Sequence, residues 1–153
     1  MKESLDSVDS KALAALMSDG RISWADLAEK LDLSAPAAAE RARKLQERGL
    51  ITGYRAIPNP AALGYELLAF VYVTAPGSPQ RRAPLLKAIA KHPLVLECHH
   101  LAGEDDLMLK VRCRSIAQLE DLLMNDLKGR YNVTRTRTSI ALGTIKETTS
   151  LVP

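Results

Sequence analysis

The sequence predicts an α+β protein in two parts, in which three short helices are followed by a split βαββαβ sheet. Two observations carry this prediction. In residues 1–50, apolar side chains recur at the helical period in three runs separated by short polar turns. In residues 65–153, apolar and β-branched runs alternate with helical patterns. We therefore expect a winged-type three-helix domain over residues 1–50, a linker strand and turn over residues 51–64, and a ferredoxin-like αβ sandwich over residues 65–153.

The first two helices are marked by residues that cap helix ends. Cap-type residues at 5–9 precede the first helix, which should end at residues 19–20. Ser23 is expected to cap the second helix, with Asp26 as its acidic partner three residues on. Trp24 falls on the apolar face of this helix. We interpret it as a packing residue rather than as a stacking platform for a nucleic-acid base.

The third helix, over Ser34–Arg48, has the clearest ends. Ser34 is placed to cap it, Pro36 lies in its first turn and Gly49 follows its last residue. Ala38, Ala42 and Leu45 form a narrow apolar stripe, while a basic face recurs at i, i+3 and i+7 through Arg41, Lys44 and Arg48. One side of this helix should pack and another should carry positive charge.

Basic residues on a helix are most often a solvated face. The total charge of +3 does not argue for nucleic-acid binding, but five basic residues outnumber two acidic ones between Glu40 and Arg55. Together with the helix count, this local excess favours a helix-turn-helix that places its third helix in the major groove of DNA. The residues expected at the DNA are Ser34, Ala35, Pro36, Ala37, Glu40, Arg41, Lys44 and Arg48.

Most of the predicted DNA contacts should be to phosphate, because the small side chains at the front of the helix offer few bidentate donors to bases. Thymine-methyl contacts and duplex deformability would then supply much of the specificity. Degenerate, A·T-rich sites and a steep salt dependence are expected.

The second part should contain four strands and two helices. Residues 65–74 are apolar on both faces, so both faces of this strand should be buried. Pro58–Pro60 breaks the chain before it and is the expected domain boundary. The remaining elements are expected to be a short strand over Leu50–Ile57, a helix ending near His92, strands over Leu94–Leu101 and Leu107–Cys113, a helix capped by Ser115 and closed by Gly129, and a last strand over Asn132–Ile145.

Several classes of site are disfavoured by the sequence. Cys98 and Cys113 have no CxxC partner, and we interpret both as reduced core thiols. His99 and His100 would point to opposite faces of a strand, which argues against a metal site. With no apolar run that could span a membrane, a cytoplasmic protein is expected. No nucleophile elbow, phosphate loop or HExxH spacing is present, so an enzyme is the weak alternative, and we expect neither cofactor nor metal.

The acidic turn Gly103–Asp106 joins two predicted strands. Turn chemistry alone would make it a solvated hairpin loop. A binding role is also compatible with the residues, because glycine lets the backbone approach a ligand and a carboxylate can pair with an α-ammonium group.

At this point the sequence resembles the Lrp/AsnC family of feast/famine transcriptional regulators over essentially its whole length. The resemblance is carried by an ordered set of short motifs: Leu5-Asp6 with Asp9, residues 19–23, Leu27-Ala28, Leu33-Ser34, residues 43–45, residues 49–51, Gly53-Tyr54, residues 103–106, Lys110-Val111, residues 136–138 and Lys146-Glu147.

The resemblance implies an N-terminal DNA-binding domain, a linker strand and an αβ effector domain. It also implies homodimers built from the sheets, often assembled into octamers, with a small amino acid bound between dimers around the loop that matches Gly103–Asp106. The effector-binding residues it suggests are Leu101, Gly103, Glu104, Asp105, Asp106, Thr136 and Thr138. The function expected is a sequence-specific DNA-binding regulator modulated by a small effector. The alternative is an architectural, nucleoid-type DNA-binding protein without one.

Two positions depart from the family pattern. Asp105 stands where relatives often carry an aromatic or small residue, and residues 128–133 replace a shorter turn that tends to contain Pro-Gly. In that longer turn, Asn132 is suited to supply a residue in the left-handed conformation.

Overall fold

The computed structural model describes residues 5–75 and 77–151, and it has the predicted order of three helices followed by βαββαβ. The chain divides into two compact units. One runs up to Ile57 and also includes the residues from Lys146 on, and the other is Pro58–Ile145. The final segment, which we expected in the αβ domain, is therefore grouped with the helices. Within that helical unit, the Ser150 hydroxyl lies 3.5 Å from the backbone oxygen of Met17.

The helical unit is built from α1 (Ser7–Ser18), α2 (Trp24–Leu31) and α3 (Ala35–Glu47). Each helix begins after a side-chain cap. Asp6, Ser23 and Ser34 accept hydrogen bonds from the backbone N–H three residues on, and Ser23 also donates to Asp26 at 2.6 Å. The core between the helices consists of Ala12, Leu16, Leu27, Ala28, Leu31, Ala38, Ala42 and Leu45.

Short connections fix α3 against α2. Asp32 adopts the left-handed conformation with φ 54°, and the next N–H, of Leu33, bonds to Ala28 O at 3.0 Å. At the far end of α3, Gly49 has φ 71°, and Leu50 N–H bonds to Leu45 O at 2.9 Å. The predicted glycine stop is therefore confirmed, because the left-handed conformation favours glycine.

The second unit is a four-stranded antiparallel sheet with the order β2-β3-β1-β4. A short 3₁₀ turn, Ala61–Leu63, precedes it. Its elements are β1 (Leu67–Thr74), α4 (Pro79–Ile89), β2 (Val95–His100), β3 (Leu107–Cys113), α5 (Ile116–Asp121) with a π-helical continuation over Leu122–Arg130, and β4 (Arg135–Ile140). This order is that of a ferredoxin-like fold.

The sheet is buried on one face. Ala69, Val71 and Val73 of β1 have no exposed surface and belong to the same core cluster as residues of α4 and α5. Phe70 and Tyr72 on the opposite face are only half-buried. The prediction that both faces of this strand are buried is therefore not met within the single chain, because the described helices of this unit supply apolar cover to one face only.

Residues 50–57 do not form the predicted strand, and the helical unit has no strand wing in the part of the chain that the structure describes. No described strand pairs with this segment, which is mostly exposed and contains Gly53 at φ 156°. Apolar alternation alone does not make a strand, because its N–H and C=O groups need a neighbour.

The longer turn at residues 128–133 is absorbed into a widened helix. The chain passes from α5 directly into π-helical turns that continue to Arg130, beyond the predicted stop at Gly129. Asn132 has φ 52°, which confirms the left-handed residue, and β4 begins later and ends earlier than expected.

Cys113 is buried in the core, but Cys98 is exposed because it lies on β2, an edge strand that is largely uncovered. The interpretation of Cys98 as a core thiol is therefore wrong. None of the helices in the described ranges has the length and apolar character needed to cross a membrane.

Candidate DNA-binding helix and ligand loop

The front of α3 presents small side chains to solvent. Ser34 and Pro36 are exposed, and Ala35 and Ala37 are half-buried. Lys44 lies one to two turns further along, with 59% of its side chain exposed. Such a surface, with methyl groups at the helix N-terminus and a cation beyond them, has the shape that a major groove admits.

The basic face of α3 does not point uniformly outward. Arg41 Nη1 lies 2.8 Å from Asp9 Oδ1 and 2.6 Å from Asp6 Oδ2, and Arg48 Nη1 lies 2.7 Å from Asp9 Oδ2. Asp9 is only 4% exposed. The expectation of one solvated cationic face through Arg41, Lys44 and Arg48 is therefore corrected. Two of the three arms reach back to α1, because a nearly buried carboxylate needs compensating charge.

The exposed side of α3 carries a second set of ion pairs. Arg43 donates to both carboxylate oxygens of Glu40, at 2.6 and 2.8 Å, and it also pairs with Glu47. The hydrogen bond from Arg43 lowers the pKa of Glu40 below its ordinary value. Glu40, predicted to face bases, is thus engaged within its own helix, and Lys44 lies 3.8 Å from it.

Trp24 is 46% exposed, so its interpretation as a packing residue is wrong. It is the first residue of α2, directly after the cap Ser23. The first turn of this helix projects beyond the core that Leu27 and Leu31 enter, which explains the exposure.

The loop between β2 and β3 is anchored at both of its ends. Leu101 N–H bonds to Asp106 O at 2.9 Å, and Asp106 N–H bonds to Val73 O of β1 at 3.0 Å. Gly103 and Glu104 at the tip are exposed. The loop is therefore a fixed platform with an open tip.

The Asp106 carboxylate is committed to the protein. Its Oδ2 accepts the Ala75 N–H at 2.9 Å, and its Oδ1 lies 3.0 Å from Arg82 Nη2 on α4. A backbone donor and a guanidinium therefore occupy the group that we had considered as an ammonium partner.

Asp105 is 5% exposed and is also engaged by arginines. Arg137 Nη2 lies 2.8 Å from its Oδ2, and Arg135 Nη2 lies 3.4 Å from its Oδ1. The guanidinium of Arg137 also stacks over the ring of Tyr72, 4.0 Å from the centroid. At Asp105, the loop is thus not a solvated turn but part of a charged network.

Sequence reasoning missed Arg82, Arg135 and Arg137 in this network. The alternating Arg-Thr pattern of β4 contained a signal for two of them, because alternate residues of a strand share a face. In the observed register Arg137 pairs with Tyr72, while Thr136 and Thr138 pair with Val73 and Val71 of the helix-covered face. The two predicted threonines therefore face away from Arg137 and are half-buried.

Within the described part of the chain, no cluster of three or more His, Cys, Asp or Glu side chains is arranged to hold a metal ion.

Comparisons with known proteins match both units. Residues 5–46 match the AsnC-type helix-turn-helix domain, and residues 68–151 match the Lrp/AsnC ligand binding domain. A leucine-responsive regulatory protein of Rhizobium meliloti is 39% identical over 147 residues, covering 94% of this chain and 92% of the relative. The transcriptional regulator LrpA of Mycobacterium tuberculosis is 37% identical over 155 residues, covering all of both chains.

Solved structures agree with these matches. A transcriptional regulator from Neisseria meningitidis in complex with L-methionine superposes with a TM-score of 0.91 at 29% identity, covering 97% of this chain and 96% of the other. A feast or famine regulatory protein from M. tuberculosis, complexed with L-methionine, has a TM-score of 0.88 at 35% identity and covers 98% and 100%.

Proposed function

Because the chain belongs to the Lrp/AsnC family of transcriptional regulators, we propose that it reads double-stranded DNA through α3 and responds to a small amino acid at the loop of residues 101–106. The observation that carries the DNA assignment is the exposed front of α3, held rigidly by a short turn from α2. In a dimer, two such helices enter successive major grooves of a pseudo-palindromic site.

The contacts to DNA divide into two classes. Ala35, Pro36 and Ala37 offer methyl and methylene groups to thymine methyls, which discriminates weakly. Lys44 contacts phosphate, and Ser34 lies at the helix N-terminus, where backbone N–H groups favour anions. Base readout is therefore thin, and duplex deformability contributes much of the specificity.

Fluorescence anisotropy with a labelled A·T-rich duplex tests this assignment. Between about 50 and about 200 mM salt the affinity should fall by orders of magnitude if several phosphates are neutralised. An affinity that barely changes with salt would contradict the proposal.

A variant pair tests the role of α3. Lys44→Gln should lower the slope of log K against log salt by about one unit, and Lys11→Gln on the exposed side of α1 is the matched control that should not. Equal slopes for the two variants would remove Lys44 from the interface.

The effector is proposed to be an amino acid because two structural relatives, in complex with L-methionine, superpose over nearly the full chain. Isothermal titration calorimetry with L-methionine, L-leucine and the other common amino acids tests this. Asp106→Ala also removes the bonds to Ala75 and Arg82, so it reports on the loop platform as well as on the ligand. Glu104→Gln at the exposed tip is the cleaner probe. No heat from any amino acid would contradict the effector proposal.

A homodimer formed through the half-buried face of the sheet, assembling further to an octamer, is proposed as the functional state. The support is the row of Phe70 and Tyr72 on the face that the described helices of the second unit leave uncovered. An effector shifts such an assembly only by its differential affinity for two states. Size-exclusion chromatography with light scattering, with and without L-methionine, tests both statements, and a monomer under both conditions would contradict them.

A further inference from the structure

The network around Asp105 contains more positive than negative charge. Arg82 is matched one to one with Asp106, whereas Arg135 and Arg137 share the single carboxylate of Asp105. Glu104 adds a negative charge close enough to contribute to the raised pKa of Arg137, although the hydrogen bond with Asp105 is the largest cause. Glu104 itself is exposed at the loop tip.

The two arginines of β4 are held but not covered. Each has 59% of its side chain exposed while Asp105 beneath them is 5% exposed. A guanidinium has five N–H donors in a rigid planar fork. Each guanidinium is recorded with one nitrogen on Asp105, so within residues 5–75 and 77–151 most of these donors have no protein acceptor.

The geometry fixes how these donors are presented. Stacking on the Tyr72 ring sets the plane of the Arg137 guanidinium, and the bond to Asp105 sets its rotation. A preorganised guanidinium of this kind binds a carboxylate through two parallel N–H···O bonds without first ordering a flexible side chain.

We propose that Arg135 and Arg137 form the carboxylate-recognition pair of the effector site, with Asp105 and Tyr72 as the positioning residues that hold it. This proposal rests on the proposed amino-acid response at the same loop. Glu104 at the open tip takes the α-ammonium group, so the ligand class is an α-amino acid in which the carboxylate is the obligatory group.

The assignment explains the departure at Asp105. In place of an aromatic or small residue the chain has a buried acid, which would be unfavourable without compensating charge. Its two arginine partners supply that charge and retain free donors at the surface. The substitution thus converts an apolar position of the loop into a support for anion recognition.

Calorimetry on the full-length protein separates the ligand groups. We expect L-methionine to bind and its 2-oxo acid to bind more weakly, because it lacks the ammonium group. Methioninol, which lacks the carboxylate, should not bind detectably. Binding of methioninol as tight as that of methionine would overturn the proposal, as would equal binding of inorganic phosphate and the carboxylates.

Variants identify the residue responsible. Arg137→Gln should weaken methionine binding by about tenfold or more. Arg137→Lys keeps the charge but loses the fork, so its loss should be intermediate. The matched control is Arg130→Gln, which removes an exposed charge from the π-helical segment and should leave affinity unchanged. Thermal melts of each variant establish that the unit is folded.

The outcomes distinguish the two levels of the proposal. If the wild-type protein binds methionine and Arg137→Gln binds it equally well, the recognition pair is wrong and the amino-acid response stands. If no common amino acid binds but the 2-oxo acid does, and loses affinity in Arg137→Gln, the pair stands as a carboxylate site and the amino-acid response fails. If neither class binds, both are wrong.

Discussion

The two units contain the same small device, one nearly buried aspartate held by two arginines, in two different settings. In the helical unit, Asp9 binds Arg41 and Arg48, whose side chains are 35% and 27% exposed. In the sheet unit, Asp105 binds Arg135 and Arg137, which are both 59% exposed. The exposure of the arginines, not the presence of the ion pair, distinguishes a clamp between helices from a surface that can still bind something.

This difference follows from where the partners lie in the sequence. Asp9 is in α1 and both of its arginines are in or directly after α3, so the cluster ties together two helices of the recognition unit. Asp105 lies in a loop and its arginines alternate along an edge strand with one open side. The first cluster therefore has helix on both sides, whereas the second has protein on one side only.

The largest expected effect is at Asp9. Asp9→Asn leaves two partly buried guanidinium groups without their counter-ion and should destabilise the helical unit by about 3 kcal/mol. Urea unfolding monitored by the fluorescence of Trp24, the single tryptophan, reports on this unit. Glu29→Gln, at an exposed position of α2, is the control and should change stability by less than about 0.5 kcal/mol. Equal stability of the two variants would remove the clamp.

A smaller effect is expected at Asp105. Asp105→Asn should destabilise the sheet unit by about 1 kcal/mol, because the exposed arginines regain water when the pair is broken. Circular dichroism during urea unfolding measures this transition, with Glu120→Gln on α5 as an exposed control. A loss as large as that at Asp9 would erase the distinction between the two clusters.

DNA binding gives a third test of the same distinction. If Arg48 belongs to the clamp, Arg48→Gln should leave the slope of log K against log salt unchanged while lowering the stability of the helical unit. A phosphate contact would lower the slope by about 0.9. Anisotropy titrations at several salt concentrations, below the unfolding temperature of the variant, measure it. A drop in slope equal to that of Lys44→Gln would return Arg48 to the DNA surface.

Local signals predicted the fold better than they predicted the sites. Caps at Ser23, Ser34 and Ser115, the glycine stop at Gly49 and the left-handed residue Asn132 were readable because each depends on a few neighbouring residues. The strand expected at residues 50–57 was wrong because pairing depends on a partner that the sequence pattern does not reveal.

The side chains of the sites were predictable in type but not in direction. The period of α3 places Arg41, Lys44 and Arg48 on related faces, but it does not show that Asp6 and Asp9 of α1 lie opposite two of them. Likewise, the acidic loop was visible, whereas its arginines come from α4 and β4, 24 to 32 residues away in the chain. Long-range ion pairs depend on the packed arrangement of elements, which local patterns leave open.

The smallest expected effect is a pH dependence of the clamp. The pKa of Asp6 lies below its ordinary value of 3.8, first because its side chain accepts the Asp9 N–H and then because of Arg41. A lowered pKa means that the folded state holds the proton less tightly than the unfolded chain does. The resulting stabilisation is complete above pH 3.8 and is lost as the pH falls through the lower folded pKa.

Asp6→Asn should therefore flatten the fall in melting temperature of the helical unit between about pH 5 and about pH 3, without removing it, because other carboxylates also titrate there. Thermal melts followed by Trp24 fluorescence measure the slope, and Glu29→Gln again serves as the control. Because Asp6 is about half exposed, the change should be smaller than that at Asp9. An unchanged slope in Asp6→Asn would show that the cap and the Arg41 pair contribute nothing to acid stability, and the clamp would then reduce to Asp9 alone.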